Sequence, residues 1–112
     1  MVTTYKLDEF ATGPTAFRFE GADAAGGADI AWFLVKTLPG KGPELHVHPY
    51  AEVFCLLEGT AEFTAGEERT VVEGGTVVVV PANTPHRFEN VGDTPLLQFS
   101  VHERGAMVQH DL

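Results

Sequence analysis

The chain has 112 residues, which is enough for a single domain spanning 1–112. Its hydrophobic fraction of 44% and charged fraction of 21% are ordinary for a globular protein and exclude a disordered chain. Sixteen acidic against seven basic residues give a formal net charge of −9, and such a surface repels phosphate backbones, so nucleic acid is a poor candidate partner.

No apolar run approaches the roughly 20 residues that span a bilayer, and the N-terminus lacks the basic flank and apolar run of a signal peptide. We therefore expect no membrane partner and a cytoplasmic location.

In chain order, eight short runs rich in Val, Phe, Leu and Thr predict strands, because turn signals containing Gly, Pro or Asp separate them. These runs are 15–20, 30–37, 52–57, 60–65, 69–72, 76–80, 86–91 and 96–102. No segment keeps a helical apolar period over three turns. The pattern favours an all-β sandwich or barrel, although periodicity alone does not separate an immunoglobulin-like sandwich from a jelly roll.

Two of these runs are apolar at every position, 53–57 and 77–80. Strands of this kind are expected to be covered on both faces. One face would meet the barrel interior, and the other would meet a second subunit or an N-terminal arm. We therefore expect a homodimer.

Three of the five histidines lie in two patterned segments. His46 and His48 are two residues apart, which puts both imidazoles on one face of a strand. Glu52 follows at even spacing after a bend at Pro49, and His86 opens a strand after the proline-rich turn 81–85. Three imidazoles and a carboxylate suit one divalent Fe, Mn, Ni, Co, Cu or Zn ion, and the set lacks the thiolates typical of closed structural zinc sites.

The other two histidines, His102 and His110, have no partner at a useful spacing. An isolated histidine on a strand is more often a hydrogen-bonded core or surface residue than a ligand. We therefore expect neither to bind the metal.

These segments resemble the two conserved motifs of the cupin superfamily. Motif 1 covers 40–59 and motif 2 covers 75–90, and the matching positions are Gly40, His46, His48, Glu52, Gly59, Gly75, Pro81, His86 and Asn90. The one departure is Asn83, where the family pattern has glycine. Asparagine tolerates the left-handed backbone region better than other non-glycine residues, so we expect the turn to be kept.

The resemblance implies a small single-domain cupin of the cupin 2 type. Its fold would be a jelly-roll β-barrel (a double-stranded β-helix) of six to eight main strands with an N-terminal arm. The metal would lie inside the mouth of the barrel. The ligand roles carried over are those of His46, His48, Glu52 and His86.

A cupin barrel does not determine a reaction. We expect a metal-dependent, dioxygenase-like oxidoreductase acting on a small, mostly apolar molecule, with Glu52 as a ligand or a catalytic base. The alternatives are a metal-dependent isomerase or cyclase, and a non-catalytic cupin that binds a metal or small molecule.

Strand parity suggests which other residues form the substrate pocket. Phe54 and Leu56 follow Glu52 by two and four residues and should face the cavity. Gln98 is a polar residue in an apolar strand, and Tyr50 lies in the motif bend and should rim the mouth. Few charged residues other than Glu52 lie at inward positions, which argues against a strongly anionic substrate.

Overall fold

The computed structural model describes residues 2–112 and contains two antiparallel sheets built from eleven strands. The strands are β1 (Ala11–Gly13), β2 (Ala16–Glu20), β3 (Ala31–Thr37), β4 (His46–Val47), β5 (Glu52–Glu58), β6 (Thr60–Ala65), β7 (Glu68–Glu73), β8 (Val77–Val80), β9 (His86–Asn90), β10 (Leu96–His102) and β11 (His110–Asp111). Two single 3₁₀ turns, Leu7–Phe10 and Gly21–Asp23, complete the regular structure of these residues.

The larger sheet has the order β1-β2-β3-β10-β5-β8, and the smaller has the order β11-β4-β9-β6-β7. This arrangement confirms the predicted all-β jelly roll. The eight predicted strands are the eight longest ones observed, with edges that differ by at most one residue. Within residues 2–112, no helix has the length and hydropathy that crossing a membrane requires.

The inner face of the larger sheet is graded from polar to apolar along its length. On β5 the buried residues are Glu52, Phe54 and Leu56, and on β10 they are Leu96, Gln98, Ser100 and His102. The antiparallel register sets His102 opposite Glu52 at one end and Gln98 opposite Leu56 towards the other. Beyond Leu56 the sheets close over a hydrophobic core of Phe54, Leu56, Ala61, Phe63, Val80 and Leu96. One end of the barrel is therefore filled, and the polar end remains available for a site.

The N-terminal segment packs on the outside of the larger sheet. The ring of Phe10 lies 5.3 Å from that of Phe19 and 6.1 Å from that of Trp32, centroid to centroid. This arm covers the β2–β3 side of the sheet. At the opposite edge, Val77 and Val79 of β8 are each 61% exposed.

The turn before β9 keeps its geometry without the family's glycine. Asn83 has φ of 60°, which makes it the one non-glycine residue with a positive φ among residues 2–112. Its N–H donates to the carbonyl of His48 at 2.8 Å. The expected left-handed conformation is confirmed, and the turn is tied to the segment that carries the first two histidines.

Candidate metal centre

The four predicted ligands come together at the polar end of the barrel. His46 and His86 face each other across the β4–β9 pair, with ring centroids 4.4 Å apart. His48 follows β4 directly, and Glu52 opens β5. All four side chains are buried, and their candidate ligand atoms lie within 4.8 Å of one another.

A backbone carbonyl orients each of the three imidazoles. The Nδ1 atoms of His46, His48 and His86 lie 2.7, 2.7 and 2.8 Å from the carbonyl oxygens of Glu44, Val108 and Thr84. Because a carbonyl only accepts, Nδ1 carries the proton and donates in each case. The lone pair of each neutral ring is therefore on Nε2, the arrangement found in histidine ligands of metals.

The contacts inside the site require a positive charge. The Nε2 atoms of His48 and His86 lie 3.2 and 3.3 Å from Oε1 of Glu52. Nε2 of His48 is buried and has no hydrogen-bond partner among the described residues. Nitrogen lone pairs that point at a carboxylate are repelled by its negative charge unless a proton or a cation lies between them. Three neutral imidazoles and one carboxylate therefore fit one divalent metal ion of the first transition row or zinc.

The electrostatics of the ligands agree with this arrangement. Burial raises the pKa of Glu52, but the imidazoles of His102, His48 and His86, which in the absence of a metal would hold protons against its carboxylate, outweigh burial and hold that pKa well below its usual range. Burial lowers the pKa of His46. Burial also lowers that of His48, but the Glu52 carboxylate and the Val108 carbonyl outweigh it, so the net pKa of His48 is raised. Glu52 is thus an anion at neutral pH, and in the metal-free site His48 keeps its proton to higher pH than an ordinary imidazole.

His102 supports the site from behind the ligands. Its Nε2 lies 3.0 Å from Oε2 of Glu52, and its Nδ1 lies 2.6 Å from the hydroxyl of Tyr50. Since Nε2–H donates to the carboxylate, Nδ1 accepts from the Tyr50 O–H. The Tyr50 oxygen in turn accepts from the N–H of Val108 at 3.1 Å, and the carbonyl of Val108 accepts from His48. Glu52, His102, Tyr50, Val108 and His48 therefore form a ring, which we call the support ring.

His102 is not one of the four candidate ligands, but it contacts one of them, Glu52, and no sequence pattern described above predicts this contact. A usable signal was present. His102 lies four residues after Gln98 on β10, so the parity that turns Gln98 inward also turns His102 inward.

A cavity of about 430 Å³ adjoins the candidate ligands, and His46, His48 and Glu52 form part of its wall. The rest of the wall is mostly apolar, with Gln98, Ser100 and two lysines among its polar residues. The apolar residues include Phe33, Val35, Leu38, Phe54, Phe88 and Met107. The volume falls in the range of small-molecule sites, roughly 300–1,000 Å³.

Two of the four predicted pocket residues line this cavity, Phe54 and Gln98. Leu56 faces inward as parity requires, but it lies deeper, fully buried in the hydrophobic core. Tyr50 is buried behind His48, its ring stacked on the imidazole at 5.1 Å between centroids, and belongs to the support ring.

Strand parity predicts few charged residues at inward positions other than Glu52, and the two lysines among the residues that line the cavity do not lie at inward positions. These are Lys36, on an exposed position of β3, and Lys41, in a loop. The register places the Lys36 side chain on the outer face of β3, opposite to Phe33 and Val35.

Comparison with known proteins agrees with the fold. A family model described as a cupin domain matches residues 33–102. An uncharacterised protein of Methanocaldococcus jannaschii is 38% identical over 58 residues, which is 51% of this chain and 46% of that protein. A mannose-1-phosphate guanylyltransferase of Salmonella typhimurium is 32% identical over 84 residues, 71% of this chain and 18% of the enzyme.

Among solved structures, oxalate decarboxylase from Bacillus subtilis superposes with a TM-score of 0.84 at 27% identity. That match covers 96% of this chain and 31% of the decarboxylase. The chain thus spans less than half the length of each of these relatives.

Proposed function

Because this chain belongs to the cupin domain family, we propose that it is a metal-dependent enzyme acting on a small, mostly apolar organic molecule. One observation carries the proposal: His46, His48 and Glu52 are candidate metal ligands and also walls of the 430 Å³ cavity. A molecule in the cavity lies beside the ligand set. The finer proposal is a dioxygenase-like oxidoreductase.

A bound divalent ion would supply Lewis acidity towards an oxygen of the substrate, and a redox-active ion would also support oxygen chemistry. The oxalate decarboxylase of Bacillus subtilis has Mn(II) centres, which supports including Mn among the ions to test. The three imidazoles are oriented by their Nδ1–H donors and would bind a metal ion as neutral ligands, so Glu52 would be the single anionic ligand.

The contacts of Glu52 favour a ligand role over a general-base role. A general base works best with a pKa near the operating pH. The surrounding imidazoles outweigh burial and hold the pKa of Glu52 far below neutral pH. In addition, Oε2 of Glu52 already accepts a hydrogen bond from His102. Apolar cavity walls such as Phe33, Phe54 and Phe88 would exclude water from the bound substrate.

The first test is the metal content of protein purified without a metal-affinity tag. We expect about one divalent ion per chain in the wild type, lost in His48→Ala and kept in His110→Ala, whose side chain is exposed. A wild type that takes up no ion, even after loading with Fe, Mn, Ni, Co, Cu or Zn, contradicts the proposal.

The second test is turnover by each loaded form with a panel of enolisable carbonyl compounds, followed by oxygen uptake and by NMR of the products. Oxygen consumed in step with product supports the dioxygenase-like reaction. Conversion without oxygen uptake replaces it with a metal-dependent isomerase or cyclase. Binding with no turnover in any form overturns the enzyme proposal and leaves a non-catalytic binding cupin.

We also propose that the chain forms a homodimer through the outer face of β5 and β8. This outer patch consists of Val53, Cys55, Leu57, Val77 and Val79, and none of its residues is charged. Val77 and Val79 are 61% exposed and Leu57 is 49% exposed. A second copy suits the patch because two chains of charge −9 can meet here without opposing like charges.

A further inference from the structure

Gln98 lies on the inner face of β10, in the wall of the cavity. The antiparallel register places it opposite Val35 of β3 on one side and opposite Leu56 of β5 on the other. Residues that are paired in this way point to the same face of a sheet, so apolar side chains flank the Gln98 amide on both sides. The adjoining strands therefore offer this amide no polar side chain as a partner.

The oxygen of Gln98 has no partner elsewhere in the described part of the chain. The residue is 4% exposed, and its Oε1 is buried without a hydrogen-bond partner among residues 2–112. A buried acceptor that stays unpaired is destabilising, and most buried polar side-chain atoms are hydrogen-bonded. An unpaired acceptor in a cavity wall therefore calls for a hydrogen-bond donor on the molecule that occupies the cavity. The terminal torsion of glutamine is soft, so a small rotation of the amide would present Oε1 to such a donor.

Gln98 is well separated from the candidate metal ligands. The register sets His102 of β10 opposite Glu52, and Gln98 lies four residues before His102 on the same face. At about 3.3 Å per residue, this separation is roughly 13 Å along the strand. Ser100 lies between them, buried and also in the cavity wall. A ligand that reaches both ends of this row therefore carries two separate polar groups.

The cavity wall also limits the charge of that ligand. Phe33, Phe54 and Phe88 line the cavity, and the register turns the Lys36 side chain to the outer face of β3. An anionic group at the Gln98 end would face these apolar side chains without a counter-charge. A carboxylate would also fail to satisfy Oε1, because both groups only accept hydrogen bonds. An uncharged donor meets both conditions.

We propose that Gln98 determines the specificity of the cavity: its ligand is an uncharged, mostly apolar molecule with one oxygen at the metal end and a hydroxyl or uncharged amino group that donates a hydrogen bond to Oε1 of Gln98. This inference rests on the proposed function, since it names the substrate class of the same site. Gln98 contacts the ligand away from its reacting oxygen, so it selects the substrate and takes no part in the reaction.

The test compares the binding of matched ketones that differ in one donor. The shorter pair is 4-hydroxyacetophenone and 4-fluoroacetophenone, and the longer pair is 4-(4-hydroxyphenyl)butan-2-one and its 4-fluorophenyl analogue. Fluorine is similar in size to a hydroxyl group but donates no hydrogen bond. Ligand-observed NMR and calorimetry measure the affinities on metal-free and on Zn-loaded protein, at a pH where the phenols are protonated. We expect the hydroxyl compound of at least one pair to bind tighter by at least about fivefold, because the fluoro compound leaves Oε1 buried and unpaired.

Two variants assign the contact. Gln98→Met keeps an unbranched side chain of similar length and removes the acceptor, so it should bring the hydroxyl-to-fluoro affinity ratio close to one. Val35→Ala, which enlarges the cavity beside Gln98, should weaken both compounds and keep the ratio. Without ligand, Gln98→Met should be at least as stable to urea as the wild type, because an unpaired buried acceptor has been removed. A purely structural role for Gln98 would lower that stability.

Four outcomes would each overturn the proposal: equal affinity within both pairs, no binding of any of the four ketones, a hydroxyl preference that survives Gln98→Met, or a Gln98→Met variant less stable than the wild type.

The outcome is separable from that of the proposed function, because the donor preference is measured without turnover. A Gln98-dependent preference with no turnover in any metal-loaded form would sink the enzyme proposal alone. Metal-dependent turnover that is indifferent to the donor would sink the Gln98 proposal alone.

Discussion

Glu52 is the one carboxylate among the candidate ligands, and both of its oxygens are engaged. Oε1 faces Nε2 of His48 and of His86, while Oε2 accepts from His102 at 3.0 Å. Because Oε2 is held, the carboxylate is not free to rotate, and Oε1 is presented to the centre of the site. The geometry of the carboxylate therefore depends on His102, which is not one of the four candidate ligands.

Replacing His102 should weaken metal binding without removing a ligand. In His102→Phe an aromatic ring is kept but the donor to Glu52 is lost, and we expect metal affinity to fall about 10- to 100-fold. Competition with a chromophoric chelator measures the change. The control His110→Phe alters an exposed histidine and should leave affinity unchanged. Equal affinity in His102→Phe and wild type would show that the support ring does not orient Glu52.

Metal affinity should rise with pH through the region where the ligands lose their protons. The net pKa of His48 is raised above its ordinary 6.5, so the metal-free site keeps a proton there that the metal must displace. We expect apparent affinity to increase from about pH 5.5 and to level off at about pH 8, with proton release on binding. Calorimetry in buffers of different ionisation enthalpy measures both. A flat profile over this range would contradict the assignment of that proton.

Residue identity in the site was predictable where a spacing pattern existed. His46, His48, Glu52 and His86 are found from two motifs, because their spacing is imposed by strand parity and a tight turn. His102 is separated from Glu52 by 50 positions and pairs with it only when β10 lies beside β5. That pairing is a tertiary event, and local spacing does not encode it.

At the scale of elements, Asn90 joins several segments at the end of β9. Its side-chain N–H groups donate to the carbonyls of Thr37 and Thr94 at 2.9 and 2.8 Å, and its Oδ1 accepts from the N–H of Gly92. The residue is almost completely buried. One side chain therefore fixes the end of β3 and the turn into β10. Asn90, the last residue of motif 2, therefore has a structural role.

Removing these hydrogen bonds should lower stability while leaving the metal ligands in place. For Asn90→Ala we expect the free energy of unfolding to fall by about 2–4 kcal/mol, because two buried carbonyls and one N–H lose their partner. Urea denaturation measures the change. Asp93→Ala, in the exposed turn nearby, should stay within about 0.5 kcal/mol of wild type. A loss in Asn90→Ala no larger than that of the control would show that the turn holds without it.

The longer strands were predictable because Gly, Pro and Asp mark their ends and apolar residues fill them. The strands β1, β4 and β11 have three, two and two residues, too few to show any period. They exist because their neighbours bring them together, as β9 and β11 do for β4. Strand parity correctly predicted that Leu56 faces inward. It did not predict that Leu56 lies in the hydrophobic core and not on the cavity wall, because that depends on where the two sheets close.

At the scale of the whole molecule, charge and apolar surface are separated. The chain carries a net charge of −9, yet the outer patch of β5 and β8 is uncharged. The N-terminal arm packs on Phe19 and Trp32, on the same outer face of the sheet but towards its opposite edge. The proposed homodimer would bury the outer patch, which the N-terminal arm does not cover.

A charge placed on this patch should separate the subunits. In Val79→Glu we expect a monomer where the wild type is a dimer, because the added carboxylates would face each other across the interface. Light scattering coupled to gel filtration measures the mass. Val71→Glu, at a valine 58% exposed on the other sheet, should remain dimeric. A wild type with the mass of one chain, or a dimeric Val79→Glu, would contradict the proposed interface.

The place of Val108 in the support ring has a kinetic consequence. Val108 accepts from His48 and donates to Tyr50, yet it belongs to a C-terminal segment whose only strand, β11, has two residues. Segments held by so few ladder contacts open more often than the sheets they lie on. Each such opening would release His48 and Tyr50 together. The dissociation rate of the metal should therefore follow the opening frequency of this segment, which hydrogen exchange of the Val108 amide reports directly.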